Sequence, residues 1–498
     1  MKKMKLKILA LAAILSVSSS PYASATVDFS GDTATSTQYG SYGSGSITQF
    51  AGEFSSSASV YQDGSAYTES ATITQDGSVN GGLNAEIYQN GSNDNATILQ
   101  AGNGGSASIS QGSYGYWNTA SISQDAGTTG ESAEINQYAS GYHYSPSSGY
   151  NQAIINQSGG TADFASINQY GGENEATINQ YGTIGDQALL HQDGYSNLAT
   201  SVQGGNADFY YGPSQNDLIS VYQDGSNNQA WAGQASTSGE QIYITQSGGG
   251  DSNVAWVGQL DGANDTATVN QAASSNSAEI TQYISNANSA SISQDTYSGS
   301  GSGNYATVYQ ESSSNSNANI EQEGSNNNAH ISQASADAAI ASVQQYGTYN
   351  SATVDQTSLN EHASVIQNGF SNRGTISQDG TDDVAVIDQQ SGSNTASVSQ
   401  MNTNSEQASI TQGGGVSNSG TINQLNGAFD RAIISQYGES NTATVEQGTF
   451  DGLGSFNCQA TITQNGNSNT ATIDQIGANK IASITQNGTG NNLSIIQH

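Results

Sequence analysis

The chain has 498 residues, of which 41 are acidic, seven basic, 59 glycine and one cysteine. Charged residues make up 10% of it and apolar residues 34%, both low against roughly 25% and 45–50% in ordinary soluble domains. That composition excludes a set of conventional domains built on Leu, Ile and Phe cores. A disordered polar chain, or a repeat with a thin core of small residues, remains.

In chain order, Lys2, Lys3, Lys5 and Lys7 make a basic start, and Ile8 to Val17 is an apolar run. The run is shorter than the roughly 20 residues that a bilayer span needs. Ala23-Ser24-Ala25 then supplies small residues of the kind a signal peptidase reads. Residues 1–25 are expected to be an export signal and 26–45 an N-terminal segment that could serve in secretion targeting. Arg373, Arg431 and Lys480 alone then face 41 acids, a net charge of −38. Nucleic acids and anionic membranes need clustered Lys or Arg, so neither is an expected partner, and no later apolar run is long enough for a transmembrane segment. Cys458 has no partner for an internal disulfide. It reads as a small side chain beside Phe456, with intermolecular pairing as the alternative.

From Gln49 to Gln497 one pattern recurs 37 times: Ala, any, Ile or Val, any, Gln. Examples are Ala71-Thr-Ile73-Thr-Gln75, Ala176-Thr-Ile178-Asn-Gln180, Ala396-Ser-Val398-Ser-Gln400 and Ala471-Thr-Ile473-Asp-Gln475. The unit ending at Gln203 reads as slipped, and one ending at Gln38 lacks the apolar residue. Gln345, Gln356, Gln367, Gln378, Gln389 and Gln400 fall 11 apart, and such a period decides the fold. Alternation at period two predicts strands. Between them lie arcs such as Gln464-Asn-Gly466-Asn-Ser-Asn469, with Asp224-Gly225, Asn368-Gly369 and Asn487-Gly488 supplying positive-φ positions.

A strand burying one Ala and one Ile is not stable alone, but stacked copies cover one another and pair every backbone group. The predicted fold is all-β, a β-solenoid with two strands per turn and amyloid-like stacking over 46–498. Its core is represented by Ile73, Ile178, Val398, Val445, Ile462, Ile473 and Ile484. Parity also turns the Gln inward, where an unpartnered amide costs a few kcal/mol. Stacking identical amides at strand spacing satisfies them and sets register. The ladder candidates are Gln75, Gln89, Gln180, Gln356, Gln367, Gln378, Gln400, Gln447, Gln464, Gln475 and Gln486. Asn394, Asn441 and Asn469 are expected to form an equivalent amide ladder at the opposite corner.

The rhythm breaks near 138–150, 204–216, 295–304 and 448–457, read as loop excursions from a continuous stack. Pro146 and Pro213 fall in the first two, consistent with proline's inability to donate to a ladder. The last unit, Leu493-Ser-Ile495-Ile-Gln497, reads as a strand left open for another chain to pair with.

With strand, Gln, Gly and Asn recurring together, the chain resembles curlin repeats, the building units of curli fibre subunits, over nearly all of residues 34–497. The resemblance implies a bacterial extracellular functional amyloid with roles in adhesion and biofilm matrix. It also implies self-association or pairing with other curlin-like subunits, and passage through outer-membrane secretion and nucleation machinery. The stacking residues carried over are Asn394 with Gln400, Asn441 with Gln447 and Asn469 with Gln475. Two departures stand out: this chain is far longer than typical subunits, and Thr26–Gln38 does not match the family's pore-targeting segment.

His143, His191, His330, His362 and His498 show no metal or triad spacing. No catalytic residue, metal, cofactor or small-molecule substrate is expected, and the chain reads as a non-enzyme. Asp63, Asp76 and Asp379 lie in arcs where they could stack into an acidic ridge. Tyr138, Tyr170, Tyr181, Tyr283, Tyr346 and Tyr437 each follow a repeat Gln, either as exposed aromatic rows or packed over arc glycines. The alternative function is a monomeric extracellular solenoid adhesin, or an ice- or ligand-binding protein.

Overall fold

The computed structural model describes residues 13–17, 23–27, 32–38, 43–50, 56–63, 68–76, 82–112, 117–138, 149–205, 213–247, 251–295, 302–448 and 455–498. Each repeat is one strand, as in Ser70–Gln75, Thr395–Asn404 and Thr442–Gln447, and no helix occurs among the described residues. Burial follows the parity of the repeat: Ala71, Ile73 and Gln75 are buried while Ser70, Thr72 and Thr74 face outward. Ile73, Ile178, Val398, Val445, Ile462, Ile473 and Ile484 all lie in the core, where a buried Ile contributes about 1.5–3 kcal/mol.

Alternate strands pair in parallel and in register. Val354 stands on Ile376 and that on Val398, with Gln356, Gln378 and Gln400 aligned beside them. The intervening strands do the same in a second sheet, through Val343, Val365 and Ile387. Two repeats therefore close one turn, and the 11-residue spacing becomes a 22-residue step between stacked Gln residues. Parallel pairing needs a crossover between partners, and here the other sheet's strand is the crossover.

The chain divides into two units, Met1–Gln246 and Ser247–His498, and each is a β-solenoid of this kind. The division lies at none of the four expected excursions. Those excursions, and Pro146 with the first of them, fall for most of their length outside the described residues. So do residues 1–12 and 18–22 of the expected export signal. The backbone of Ala13–Val17 and Ala23–Val27 runs as strand, parallel to Thr33–Gln38 and Ser44–Gln49.

Two repeats that looked irregular keep the frame. In the unit ending at Gln203, Ser201 aligns with Ile178 and is fully buried while Val202 faces outward. The strand has not slipped: pairing of Ala199 with Ala176 and of Gln203 with Gln180 overrides the preference of one Val for the core. In the unit ending at Gln38, Ser36 fills the apolar slot.

Each arc reverses the chain with left-handed residues. Gly225, Gly369 and Gly488 have φ of 119°, 127° and 109°. A Cβ on Gly369 would lie 2.0 Å from the Ser391 carbonyl oxygen of the next turn, so this glycine is required by close approach as well as by φ. A second left-handed residue precedes the inward corner and is mostly not glycine: Ser393, Ser440 and Ser468 have φ of 55–56°.

Candidate functional site

Inward Gln side chains form a ladder in each sheet. In one, Gln356 Nε2 donates to Gln378 Oε1, Gln378 to Gln400 and Gln400 to Gln424, each at 2.9 Å. Gln447 likewise donates to Gln475, and Gln475 to Gln497. Gln75 and Gln180 make the same bond to Gln100 and Gln203. In the other sheet Gln89 donates to Gln111, Gln367 to Gln389 and Gln464 to Gln486. The strict run of Gln residues thus alternates between two ladders.

In most turns the second N–H of the amide crosses the core to a backbone carbonyl at the start of the facing strand. Gln367 Nε2 reaches Ser351 O at 2.9 Å, Gln464 reaches Thr442 O at 2.9 Å and Gln486 reaches Thr470 O at 2.8 Å. One side chain therefore joins successive turns and bridges the two sheets. The Gln–Gln bonds described above all point the same way, so these turns offer donors to the next and acceptors to the one before.

The two corners differ over most of the turns. One carries Asn372, Asn394, Asn418, Asn441 and Asn469, all buried. It is not a simple amide ladder, which corrects the expectation for Asn394, Asn441 and Asn469. Asn is one carbon shorter than Gln and stays close to the backbone. Its Oδ1 accepts the main-chain N–H of the next Asn: Asn394 N donates to Asn372, Asn441 N to Asn418 and Asn469 N to Asn441, at 3.0–3.1 Å. Its Nδ2 donates to a carbonyl in the next arc, from Asn441 to Gly466 O at 2.7 Å and from Asn469 to Gly488 O at 3.0 Å.

The other corner carries Glu131, Asp163, Asp186, Asp217 and Glu240 in the first unit, and in the second Asp265, then Asn288, Ser316 and Ala339, then Glu361, Asp383, Glu406, Asp430 and Cys458, all buried. Here Oδ1 again accepts the next corner's N–H: Glu406 N donates to Asp383, and Cys458 N to Asp430. Oδ2 instead accepts a hydroxyl from the next arc. Thr183 donates to Asp163 and Thr403 to Asp383, each at 2.5 Å, and Ser214, Thr237 and Ser455 serve Asp186, Asp217 and Asp430. Cys458 belongs to this corner as a buried thiol, its Sγ 3.2 Å from Gly477 O.

Burial raises these carboxyls. Glu406 is pushed up to about 10 by burial, with Asp430 and Asp383 adding repulsion. Glu131 rises to about 8 by burial and by the charge of Asp163. Asp186 and Glu361 rise to about 7, mainly by burial. Asp163, Asp217, Asp383 and Asp430 are raised as well, burial outweighing their hydroxyl and backbone donors.

This carboxyl corner went unnoticed in the sequence reading. Its signal is a Ser or Thr three residues before the corner residue, as in Thr183-Ile-Gly-Asp186, Ser214-Gln-Asn-Asp217 and Thr403-Asn-Ser-Glu406. The ridge expected at Asp63, Asp76 and Asp379 does not form at Asp379, which stands beside Met401. Tyr138 packs over Gly112 and Tyr437 over Gly413. Tyr138 and Tyr170 also stack, with centroids 5.6 Å apart, and His191 stacks on Tyr222 at 4.9 Å. Among the described residues no group of three or more His, Cys, Asp or Glu could hold a metal ion, and no helix is long and apolar enough to cross a membrane.

Parallel, in-register turns locked by one-way Gln ladders and two corner columns define a β-solenoid repeat protein. The curlin-associated repeat matches at residues 82–112, 314–347, 457–488 and 466–498. The first match spans the three strands Asn84–Gln89, Asn95–Gln100 and Ser106–Gln111. The chain thus carries curlin-associated repeats in both of its units. No curated protein matches it.

Proposed function

We propose that the chain is a secreted structural subunit of curli-like extracellular amyloid fibres, acting in bacterial surface adhesion and biofilm matrix, and that it is not an enzyme. The observation that carries this reading is the uniformity of the turns. Inward Gln residues such as Gln356, Gln378 and Gln400 donate in the same direction to the Gln of the next turn, so a turn of a second copy offers the same bonds as a turn of the same chain. Self-association then needs no new chemistry, only the parallel pairing already repeated along each unit. With residues 1–25 removed on export, Thr33–Gln38 and Ser44–Gln49 are the first complete strands.

A monomeric ice-binding solenoid needs flat paired rows of outward Thr. The file Thr353, Thr375, Ser397, Thr421, Thr444 and Thr472 stands instead beside Asp355, Ser377, Ser399, Asn423, Glu446 and Asp474. That neighbouring file favours the fibre reading.

The test is assembly of the purified chain lacking residues 1–25. Seeded, concentration-dependent growth of fibres with cross-β diffraction is expected. A chain that stays monomeric at high concentration and ignores seeds contradicts the proposal.

A further inference from the structure

On the outward face of the second unit, one repeat departs from the small polar residues that cover most others. The strand Tyr305–Glu311 reads Tyr305-Ala-Thr307-Val-Tyr309. Tyr305, Thr307 and Tyr309 share the outward parity, so two aromatic rings stand about 13 Å apart along the strand with a short Thr between them. The neighbouring strands leave both rings room: Ser277 and Asn328 flank Tyr305, and Thr281 and Ser332 flank Tyr309. The result is a groove of about 440 Å³ lined by Glu279, Thr281, Tyr305, Thr307, Tyr309, Asn328 and His330, within the range of small-molecule sites.

Its floor is a row that crosses three strands, Glu279, Thr307 and His330. Thr307 Oγ1 and His330 Nδ1 share a hydrogen bond of 2.6 Å, which fixes the imidazole. The Tyr309 hydroxyl donates to Glu311 Oε2 at 2.7 Å, which restrains that ring. We propose that this groove binds a neutral oligosaccharide. Tyr rings offer flat apolar faces to the C–H faces of pyranose rings. A carboxylate, an imidazole and the Asn328 amide offer acceptors and donors to hydroxyls.

Charge and shape select this class over others. A chain of net charge −34 with Glu279 in the groove repels anionic polysaccharides. A point cation would need ring faces converging on one spot, whereas these rings stand at opposite sides of a row about 10 Å long. An extended run of sugar rings fits that row.

The test is saturation-transfer NMR on the chain lacking residues 1–25, a method that reads the ligand whether the protein is monomeric or assembled. The probes are maltohexaose, cellohexaose and chitohexaose, with hexagalacturonate and octalysine as charged controls. At least one neutral hexasaccharide is expected to bind saturably with a Kd of about 1 mM or tighter. Binding should weaken at least tenfold in Y305S/Y309S and several-fold in E279Q. Ser occupies all three outward positions of Ser106–Gln111, so the double variant keeps a repeat the fold already accepts. Failure of every neutral probe, binding that survives Y305S/Y309S, or binding of octalysine alone would overturn the proposal.

Discussion

The two corners of the second unit solve one problem with opposite chemistry. At both, an inward side-chain oxygen accepts the main-chain N–H of the next turn. They differ in what the next arc presents to the other side-chain atom. Beside Asn418 and Asn441 it is a glycine carbonyl, Gly438 O and Gly466 O at 2.8 and 2.7 Å, which demands a donor and hence an amide. Beside Asp383 and Asp430 it is the hydroxyl of Thr403 or Ser455, which allows a carboxylate. Hydrogen bonding decides the residue type, and electrostatics then separates the corners: the Asn column is neutral at every pH, while the carboxyl column carries raised pKa values.

The largest expected effect comes from exchanging the two chemistries. Asn394→Asp, Asn418→Asp and Asn441→Asp together set carboxylate oxygens against Gly415, Gly438 and Gly466 carbonyls. Each uncompensated buried charge costs about 3 kcal/mol or more, enough in sum to rival the 5–15 kcal/mol of a typical fold. Circular dichroism should show the strand signal lost at pH 8 and recovered at pH 5, where the new carboxyls take up protons.

Next comes the pH response of the unaltered chain. Glu406, Glu131, Asp186 and Glu361 all titrate higher in the fold than when unfolded. Their contribution is complete below the unfolded values near pH 4 and is lost as pH rises through about 7 to 10. Denaturant midpoints should therefore fall from pH 5 to pH 9. Glu406→Gln with Glu361→Gln should flatten that slope, and an unchanged slope would break the comparison.

A smaller effect belongs to the Asn corner alone. Asn441→Ala removes the acceptor of Asn469 N–H and the donor to Gly466 O, at a cost of about 1–3 kcal/mol. The loss should be equal at pH 5 and pH 9, which urea melts at both pH values would show. The smallest is Ser468→Gly at a left-handed residue. Relief of backbone strain and the greater freedom of the unfolded chain nearly cancel, so a shift within about 0.5 kcal/mol is expected in the same melts.

Strand, core face and Gln ladder were legible because period two and a fixed Gln survive in almost every repeat. The corners were not, because repeats 11 to 13 residues apart interleave two columns. Read consecutively, Glu361, Asn372, Asp383, Asn394, Glu406 and Asn418 look like one mixed polar position. Only the 22-residue step between stacked turns separates acids from amides. Ser201 was misread for a related reason: the register of its neighbours, rather than its own sequence, put it in the core. The left-handed Ser440 and Ser468 carry no sequence mark, since Ser has no preference that announces a positive φ. The Tyr305–Tyr309 groove was hidden while the tyrosines were viewed only as residues following Gln.

The central claim is that inward Gln amides stack in one direction through parallel turns and continue between copies. Cryo-electron microscopy of fibres grown from the chain lacking residues 1–25 tests it most directly. The account predicts parallel strands about 4.8 Å apart along the fibre axis, with Gln356, Gln378 and Gln400 in one inward column and the same column crossing from chain to chain. Antiparallel strands, or Gln side chains facing solvent with Thr and Ser turned inward, would contradict it.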